Sequence, residues 1–342
     1  MDLLKSLKKN SLSDIPWNFS YGLLSFEQVK DYCTTLLDKN SSVMKTVEKE
    51  LLCHEFHDKC LLNLMLKSYA AEYMTNLCDT WRLHDEVKFA AIEMFGKFHA
   101  LLLSQIYETI YERPEKTLSL YNQGQSNQDT TVCNSKEQIT EKNNQWNQTL
   151  EHVAKQMELR AVSCIVIANK LDEHKQGPVN LSFAAKYLSE KGFNYNIDAL
   201  IKSELRVLKT FQYNLGSMLL VMPHVGVLID YLFHIDQTFS REDIYVLSTE
   251  LLNCFYPRCV KFYAKYSLHE NHSELNLAKA SDKMILVAHD IILLACGIVT
   301  SAVYLWSSTK SDLVIKILSS VTDVSQNRIV KFSYTLLEET LK

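Results

Sequence analysis

Turn-forming residues are scarce in this sequence. Its 342 residues include 8 glycines and 5 prolines, whereas these two residues together make up roughly 12% of an average protein. β-Sandwiches, β-barrels and doubly wound sheets need many turns, so the scarcity argues against all three. Apolar residues still form 47% of the chain, which excludes a wholly disordered protein. The composition therefore predicts an almost entirely helical protein, and the length suggests two domains.

An excess of positive charge is also lacking. The chain has 36 lysines and arginines against 40 aspartates and glutamates, which gives a net charge of −4. Proteins that bind nucleic acid through its phosphates usually carry a net positive field. Direct nucleic-acid binding is therefore not expected, although a local basic patch is compatible with this balance.

Signals for secretion and for membrane insertion are missing. The first residues, MDLLKSLKKN, contain no apolar stretch typical of a signal peptide. Nine cysteines are scattered along the chain, a pattern that fits a reducing compartment. The apolar segment 291–306 is sixteen residues long, which is shorter than the roughly 20 residues of a membrane span. It predicts a buried core helix, and no membrane association is expected.

Apolar residues recur at helical spacing in the first half of the chain. The pattern predicts helices near 66–81, 84–103, 151–168, 180–190 and 196–213. Asp85 is the predicted N-cap of the second of these, and Glu86, Lys88 and Lys97 occupy its polar face. Residues 161–168 are apolar nearly all round, which is typical of a central helix. The pattern places Ile201, Leu205 and Leu208 on the inner face of the helix near 196–213.

The second half repeats this organisation. Helices are predicted near 219–235, 241–266, 277–306, 311–320 and 325–341. Ser240 and Ser325 are suitable N-caps for two of them. Each half thus has five helices with a most-apolar third member, which predicts a structural repeat without obvious sequence repetition.

A polar segment separates two of the predicted helices. From residue 121 to residue 149, 18 of 29 residues are Asn, Gln, Ser or Thr. Such a segment buries too little apolar surface to offset its ordering entropy. A mobile surface loop is therefore predicted over 113–149, either as a spacer or as a regulatory or docking insert.

Signs of catalysis and of metal binding are weak. No phosphate-binding or nucleophile-elbow glycine motif is present. Cys53, His57 and Cys60 would share one helix face, but a structural zinc site normally has four ligands. His289 and Asp290 are adjacent on a predicted helix and therefore point in different directions, so a histidine at the edge of the core is favoured. No enzyme, metal or cofactor is predicted.

Three segments resemble the first cyclin box of the cyclin family. The run Ala168-Asn-Lys-Leu-Asp-Glu173 is similar to the Ala-Ser-Lys-x-Glu-Glu that ends the buried third helix of the box. The segment 201–215 is similar to the fifth helix, and 83–98 resembles the second. They follow the family's order within 61–215. Over the rest of the chain, the likeness is limited to the number of helices and the buried third helix.

The resemblance implies an all-α fold of two tandem five-helix domains. It predicts an N-terminal helical extension over 1–60 and a first cyclin box over 61–215, interrupted by the polar insert 113–149. A second cyclin-like domain is predicted over 216–342. In cyclins, a lysine at the end of the third helix and a glutamate of the fifth grip a helix of the partner kinase. The matching residues are Lys170 and Glu204, which are therefore the predicted partner-binding residues.

Other positions depart from the family pattern. The cyclin first helix usually begins Met-Arg-Ala-Ile-Leu, and its arginine pairs with an aspartate of the second helix. The matching residues are Lys67 and Gly96, so this ion pair is expected to be absent, and Tyr73 stands where the family has a nearby tryptophan. Lysine does not replace the arginine fork. These departures argue against the substrate-docking patch of many cyclins.

Two functions are compatible with the resemblance. The overall run of the sequence is similar to divergent cyclin-like proteins of meiotic crossover maturation. This implies a non-enzymatic adaptor that gathers recombination proteins on meiotic chromosomes in the nucleus. An additional location in the cytoplasm is compatible with this role. The alternative is a conventional cyclin that binds and activates a cyclin-dependent kinase.

Overall fold

The regular structure of the chain is helical. The computed structural model describes residues 24–51, 54–111, 131–172, 179–218, 220–269 and 280–340. Within these ranges there is no β-strand, which confirms the prediction of an all-α protein. The described cysteines form no disulfide.

Seven helices form the first half of the described chain. They are α1 (Phe26–Glu50), α2 (His54–Thr80), α3 (Asp85–Tyr111), α4 (Thr131–Ala154), α5 (Met157–Leu171), α6 (Leu181–Glu190) and α7 (Ile197–Thr210). Side-chain caps mark several of their starts: Ser25 forms a capping box with Gln28, and the side chains of Asn180 and Asn196 accept backbone N–H bonds from α6 and α7. Asp85 is the first residue of α3 rather than its N-cap.

The second half of the described chain contains seven further helices. They are α8 (Val221–Ile235), α9 (Arg241–Phe255), α10 (Cys259–His269), α11 (Ala280–His289), α12 (Ile291–Trp306), α13 (Ser311–Thr322) and α14 (Gln326–Thr340). The predicted caps are confirmed, because Ser240 Oγ accepts from the backbone N–H of Asp243 and Ser325 Oγ accepts from that of Arg328.

Two long helices predicted in the second half are each broken. The predicted helix 241–266 is interrupted by a 3-10 turn at 256–258 that contains Pro257, which has no N–H for the helical ladder. The predicted helix 277–306 is divided at Asp290, whose carboxylate accepts from Leu293 N at 3.1 Å and starts a new helix. The resulting helices α11 and α12 are bent by 74°.

Helices α5 and α12 occupy the centres of the two halves. Helix α5 contacts α2, α3, α6 and α7, whereas α12 contacts α8, α9, α13 and α14. Ten residues of α5 and thirteen of α12 are buried, which confirms that 291–306 is a core helix. In the described part of the chain, no single helix is long and apolar enough to cross a membrane, and α11 and α12 reach that length only as the bent pair.

One continuous hydrophobic core runs through both halves. Helix α2 begins before the predicted domain boundary at 60/61 and packs against the 256–258 turn, α10 and α11. Helix α1, in the predicted N-terminal extension, packs against α8, α11 and α12 of the second half. The division into two cyclin-like domains stays a prediction.

The predicted loop over 113–149 is wrong for residues 131–149, which belong to helix α4; the remaining residues, 113–130, lie outside the described chain. Trp146 packs edge-on against Tyr107 of α3, and Tyr111 of α3 donates a hydrogen bond to Asn143 Oδ1 at 2.8 Å. These two contacts attach the helix to α3, while most of its polar residues between 140 and 149 are exposed. The polar composition of the segment does not reveal these specific contacts, so it predicted a loop.

The polar face predicted for α3 is also wrong in part, because it packs against the second half. Lys88 is buried, and its ammonium lies 2.9 Å from Asp85, 3.0 Å from Asp79 and 3.2 Å from Asn253 Oδ1 of α9. Glu86 accepts a hydrogen bond from Tyr245 of α9. Burial opposes the charge on Lys88, but the two carboxylates prevail and raise its pKa.

Candidate partner-binding surface

The two residues predicted to contact a partner meet in the structure. Lys170 lies in the last turn of α5, and Glu204 lies in the middle of α7. The ammonium of Lys170 is 2.7 Å from Glu204 Oε1 and 2.9 Å from Oε2. Their side chains are 52% and 10% exposed. The packing of α5 against α7 therefore places both residues at one surface point.

This ion pair leaves hydrogen-bonding capacity on its exposed side. A lysine ammonium has three donors, and a carboxylate has about four acceptor positions. Two of the Lys170 donors are directed at Glu204, so a third can reach a carbonyl at the end of a partner helix. The largely buried Glu204 carboxylate fixes the ammonium in place, which reduces the side-chain entropy lost on binding.

Exposed apolar side chains surround the pair. Leu171 follows Lys170 and is 56% exposed, while Ile201 and Leu205 of α7 are 45% and 40% exposed. The prediction that Ile201 and Leu205 face inward is wrong. The buried face of α7 instead consists of Leu200, Ser203, Glu204 and Val207.

Hydrogen bonds under the surface explain this register of α7. Ser163 of α5 donates to Ser203 Oγ at 2.7 Å, and Arg160 Nη1 donates to the same oxygen at 2.7 Å. A buried polar group is tolerated when it has such partners. Because α5 supplies them, Ser203 and Glu204 turn inward and the apolar residues next to them turn outward.

Lys67 and Gly96 form a different arrangement from the one expected. The predicted Arg–Asp pair is absent at these positions, but Lys67 is not left unpaired. Its ammonium lies 3.0 Å from Oε2 of Glu93, one turn before Gly96. A Cβ atom on Gly96 would collide with Lys67 Cγ, so the glycine makes room for the lysine stem. Glu93 thus provides the acceptor that Gly96 cannot provide, and the buried ion pair joins α2 to α3.

Tyr73 lies beside a cleft between α2 and α5. The cleft has a volume of about 370 Å³ and is lined in part by Tyr69, Tyr73 and Met157. Burial raises the pKa of the Tyr73 hydroxyl, and a hydrogen bond with Tyr187 and the charge of Glu158 add to the effect. The expectation that this region lacks the substrate-docking patch of many cyclins stays a prediction.

Potential metal ligands do not converge within the described chain. Cys60 Sγ lies 3.7 Å from His289 Nε2, and His289 Nδ1 is 2.8 Å from the carbonyl oxygen of Ile285. Cys53 and the side chain of His57 lie outside the described residues. Among the residues that are described, no three His, Cys, Asp or Glu side chains are placed to hold a metal ion. Burial lowers the pKa of His289, which favours a neutral histidine at the edge of the core.

Comparison with known proteins supports the resemblance to cyclins. The chain is 22% identical to mouse (Mus musculus) cyclin N-terminal domain-containing protein 1, over 95% of this chain and 86% of that protein. It is 21% identical to the human (Homo sapiens) protein of the same name, over 94% of this chain and 86% of that protein. No protein-family model and no solved structure matches the chain. The predicted similarity to these divergent cyclin-like proteins is thereby confirmed over nearly the whole length.

Proposed function

We propose that this chain is a non-enzymatic cyclin-like adaptor that binds a helix of a partner protein at the surface around Lys170 and Glu204. The observation that carries the proposal is the ion pair with its exposed apolar neighbours Leu171, Ile201 and Leu205. A partner helix docks through apolar side chains, and polar groups at the edge fix its orientation. The surface offers both kinds of contact.

The cellular role follows from the resemblance of the sequence to divergent cyclin-like proteins of meiotic crossover maturation. On this proposal, the adaptor assembles recombination proteins on meiotic chromosomes in the nucleus, and a cytoplasmic pool is compatible with it. No chemistry by the chain itself is required. The altered Lys67, Gly96 and Tyr73 positions favour an adaptor over a conventional cyclin, because they change the region that many cyclins use to dock substrates.

The alternative is a cyclin that activates a cyclin-dependent kinase. Its support is that Lys170 and Glu204, which match the kinase-gripping residues of cyclins, form an ion pair in which the Lys170 side chain is 52% exposed and the Glu204 side chain is 10% exposed. In this case, burial of a kinase helix on the surface would select the active arrangement of the kinase, which is a population shift.

A charge exchange tests the surface without removing the internal ion pair. In the double variant Lys170→Glu, Glu204→Lys the two side chains can still pair, but the donors and acceptors presented to a partner are inverted. We expect the variant to fold and to lose any stoichiometric kinase or recombination protein that co-purifies with the unaltered chain. The matched control exchanges Lys186 and Glu190, an exposed pair on α6, and should retain the partner. Equal recovery with both variants would refute binding at this surface.

Purification from meiotic cells separates the two functions. A cyclin-dependent kinase recovered in a one-to-one ratio and with raised kinase activity would support the activator. Recombination proteins recovered without a stoichiometric kinase, and lost in the charge-exchanged variant, would support the adaptor.

A further inference from the structure

A second polar surface lies on α5 and α7, and Arg160 is at its centre. Arg160 Nη1 donates to Ser203 Oγ at 2.7 Å, and Nη2 donates to Gln156 Oε1 at 2.7 Å. The guanidinium carbon is 5.8 Å from the centroid of the Phe98 ring. Within the described residues, the groups that hydrogen-bond to the guanidinium or stack with it are electrically neutral. They hold its orientation and leave its charge uncompensated.

This arrangement is energetically unusual for an arginine that is half-buried. Moving a cation out of water is costly, and proteins usually offset the cost with a carboxylate. Within the described residues, Arg160 has no carboxylate in an ion pair or hydrogen bond. Burial lowers the pKa of the Arg160 guanidinium, and the neighbouring Arg206 lowers it further. The site therefore concentrates positive charge. A bound anion would compensate this charge and reduce the repulsion between the two arginines.

Arg206 supplies the second cation. It lies three residues after Ser203 on α7, so the two share a side of the helix, and it is exposed. The described part of the chain contains no hydrogen-bond or ion-pair partner for its side chain. Lys202 and Lys209 are also exposed and lie one turn before and one turn after Arg206. This basic surface, formed by Arg160, Lys202, Arg206 and Lys209, stands out in a chain whose net charge is −4.

The basic surface is distinct from the surface around Lys170 and Glu204. Arg206 follows Glu204 by two positions, which places their side chains about 200° apart around the helix axis. Glu204 bonds to Lys170 on one flank of α7, whereas Ser203 bonds to Arg160 on the other. Arg160 and Arg206 are therefore separated from the ion pair, whereas Lys202 and Lys209 lie three residues before and four residues after Leu205 and border the surface around the pair.

We propose that Arg160 and Arg206 bind the phosphoryl group of a phosphorylated segment in a partner protein. The two guanidinium charges match a phosphate dianion, and the planar fork of arginine suits its oxygens. Arg160 is already oriented by neutral partners, so little side-chain entropy is lost on binding. Lys202 and Lys209 extend the positive charge along the helix and favour acidic residues that flank the phosphorylated position. This proposal goes beyond the adaptor function and does not depend on it.

Calorimetric titration of the full chain tests this proposal. The probe is a short alanine peptide with a central phosphoserine, and its unphosphorylated form is the comparison. We expect the phosphopeptide alone to bind, and we expect Arg206→Gln to weaken binding by about tenfold, because one charge-assisted contact is lost. Lys316→Gln, which removes an exposed cation from α13, is the matched control and should bind like the unaltered chain. Absence of binding, or equal binding by Arg206→Gln, would overturn the proposal.

Two further measurements distinguish recognition of a phosphoryl group from a general attraction between opposite charges. Arg160→Lys keeps the charge and loses the fork, and it should weaken phosphopeptide binding while the thermal unfolding curve stays within a few degrees of that of the unaltered chain. A short single-stranded oligonucleotide tests a general affinity for polyanions. If it competes in proportion to its phosphate content, the site is not specific for a phosphorylated protein segment and the proposal fails.

Discussion

Lys67 of α2 crosses Gly96 of α3 and binds Glu93, with its ammonium 3.0 Å from Oε2. The hydroxyl of Tyr256, in the turn between α9 and α10, donates to Oε1 of the same glutamate at 2.9 Å. One carboxylate therefore joins α2, α3 and the second half of the chain. The departure from the cyclin pattern at residues 67 and 96 is matched by a new acceptor one helical turn away.

Removal of either charge from this pair should be costly. Both side chains are mostly buried, so Lys67→Met or Glu93→Gln leaves one charge without its partner. We expect each to lower the free energy of unfolding by about 3 kcal/mol. The double variant should cost less than the sum, with a coupling of about 1–3 kcal/mol. Urea denaturation of the four proteins measures the coupling, and additive effects would contradict a direct ion pair.

Gly96 should not tolerate a methyl group. Gly96→Ala places a Cβ against Lys67 Cγ and Asn63 Oδ1, and we expect a loss of about 1–3 kcal/mol in unfolding free energy from overpacking. Gly226→Ala in α8 is the control, because nothing lies within 4 Å of its Cβ. That substitution should stabilise the helix by about 0.5–1 kcal/mol. Thermal denaturation distinguishes the two, and equal shifts of the same sign would refute close packing at Gly96.

The buried His99 should make folding stability depend on pH. Its Nδ1 is 2.9 Å from the carbonyl oxygen of Phe95, and its Nε2 has no hydrogen-bond partner among the residues that the structure describes. Burial lowers the pKa of His99 to about 4, below the unfolded value of about 6.5. Between these values, the unfolded state binds the extra proton, so the stabilisation is complete above pH 6.5 and is lost as the pH falls towards 4.

The measurement is the free energy of unfolding from pH 7.5 to pH 5. We expect the unaltered chain to lose stability over this interval and His99→Leu to show a smaller loss. Burial also lowers the pKa of His224 and His289, so some pH dependence should persist in the variant. An unchanged pH slope in His99→Leu would show that His99 does not contribute.

The sequence predicted the features that depend on apolar periodicity. The buried helices α5 and α12 were predicted because their sequences are apolar around the whole helix. A helix of this kind is buried whichever residues pack against it. The all-α fold likewise follows from the shortage of turn residues. The fold class and the two central helices each depend on many side chains, so a single unusual contact does not change them.

Features that depend on one specific partner were not predictable. Lys88 was predicted to lie on the polar face of α3. In the structure it is surrounded by Asp79, Asp85 and Asn253. The burial of Ser203 and Glu204 depends on hydrogen-bond partners that α5 supplies, which the apolar pattern of α7 does not contain. In each case, the energetic cost of burying a polar group is offset by residues that are distant in the sequence. Periodicity alone therefore placed the wrong face of α7 in the core.

Asn40 should control how firmly α1 is attached to the second half. Its side chain is buried, with Nδ2 donating to Asp290 Oδ1 at 3.2 Å and Oδ1 accepting from Ile291 N at 3.1 Å. Asn40→Ala leaves the Ile291 N–H without this acceptor, and we expect a loss of about 1–3 kcal/mol in unfolding free energy. Hydrogen exchange should increase in α1 and in the first turn of α12. Asp38→Ala, an exposed change on α1, should leave exchange in α12 unchanged; equal exchange in both variants would show that the Asn40 contacts do not hold α1 in place.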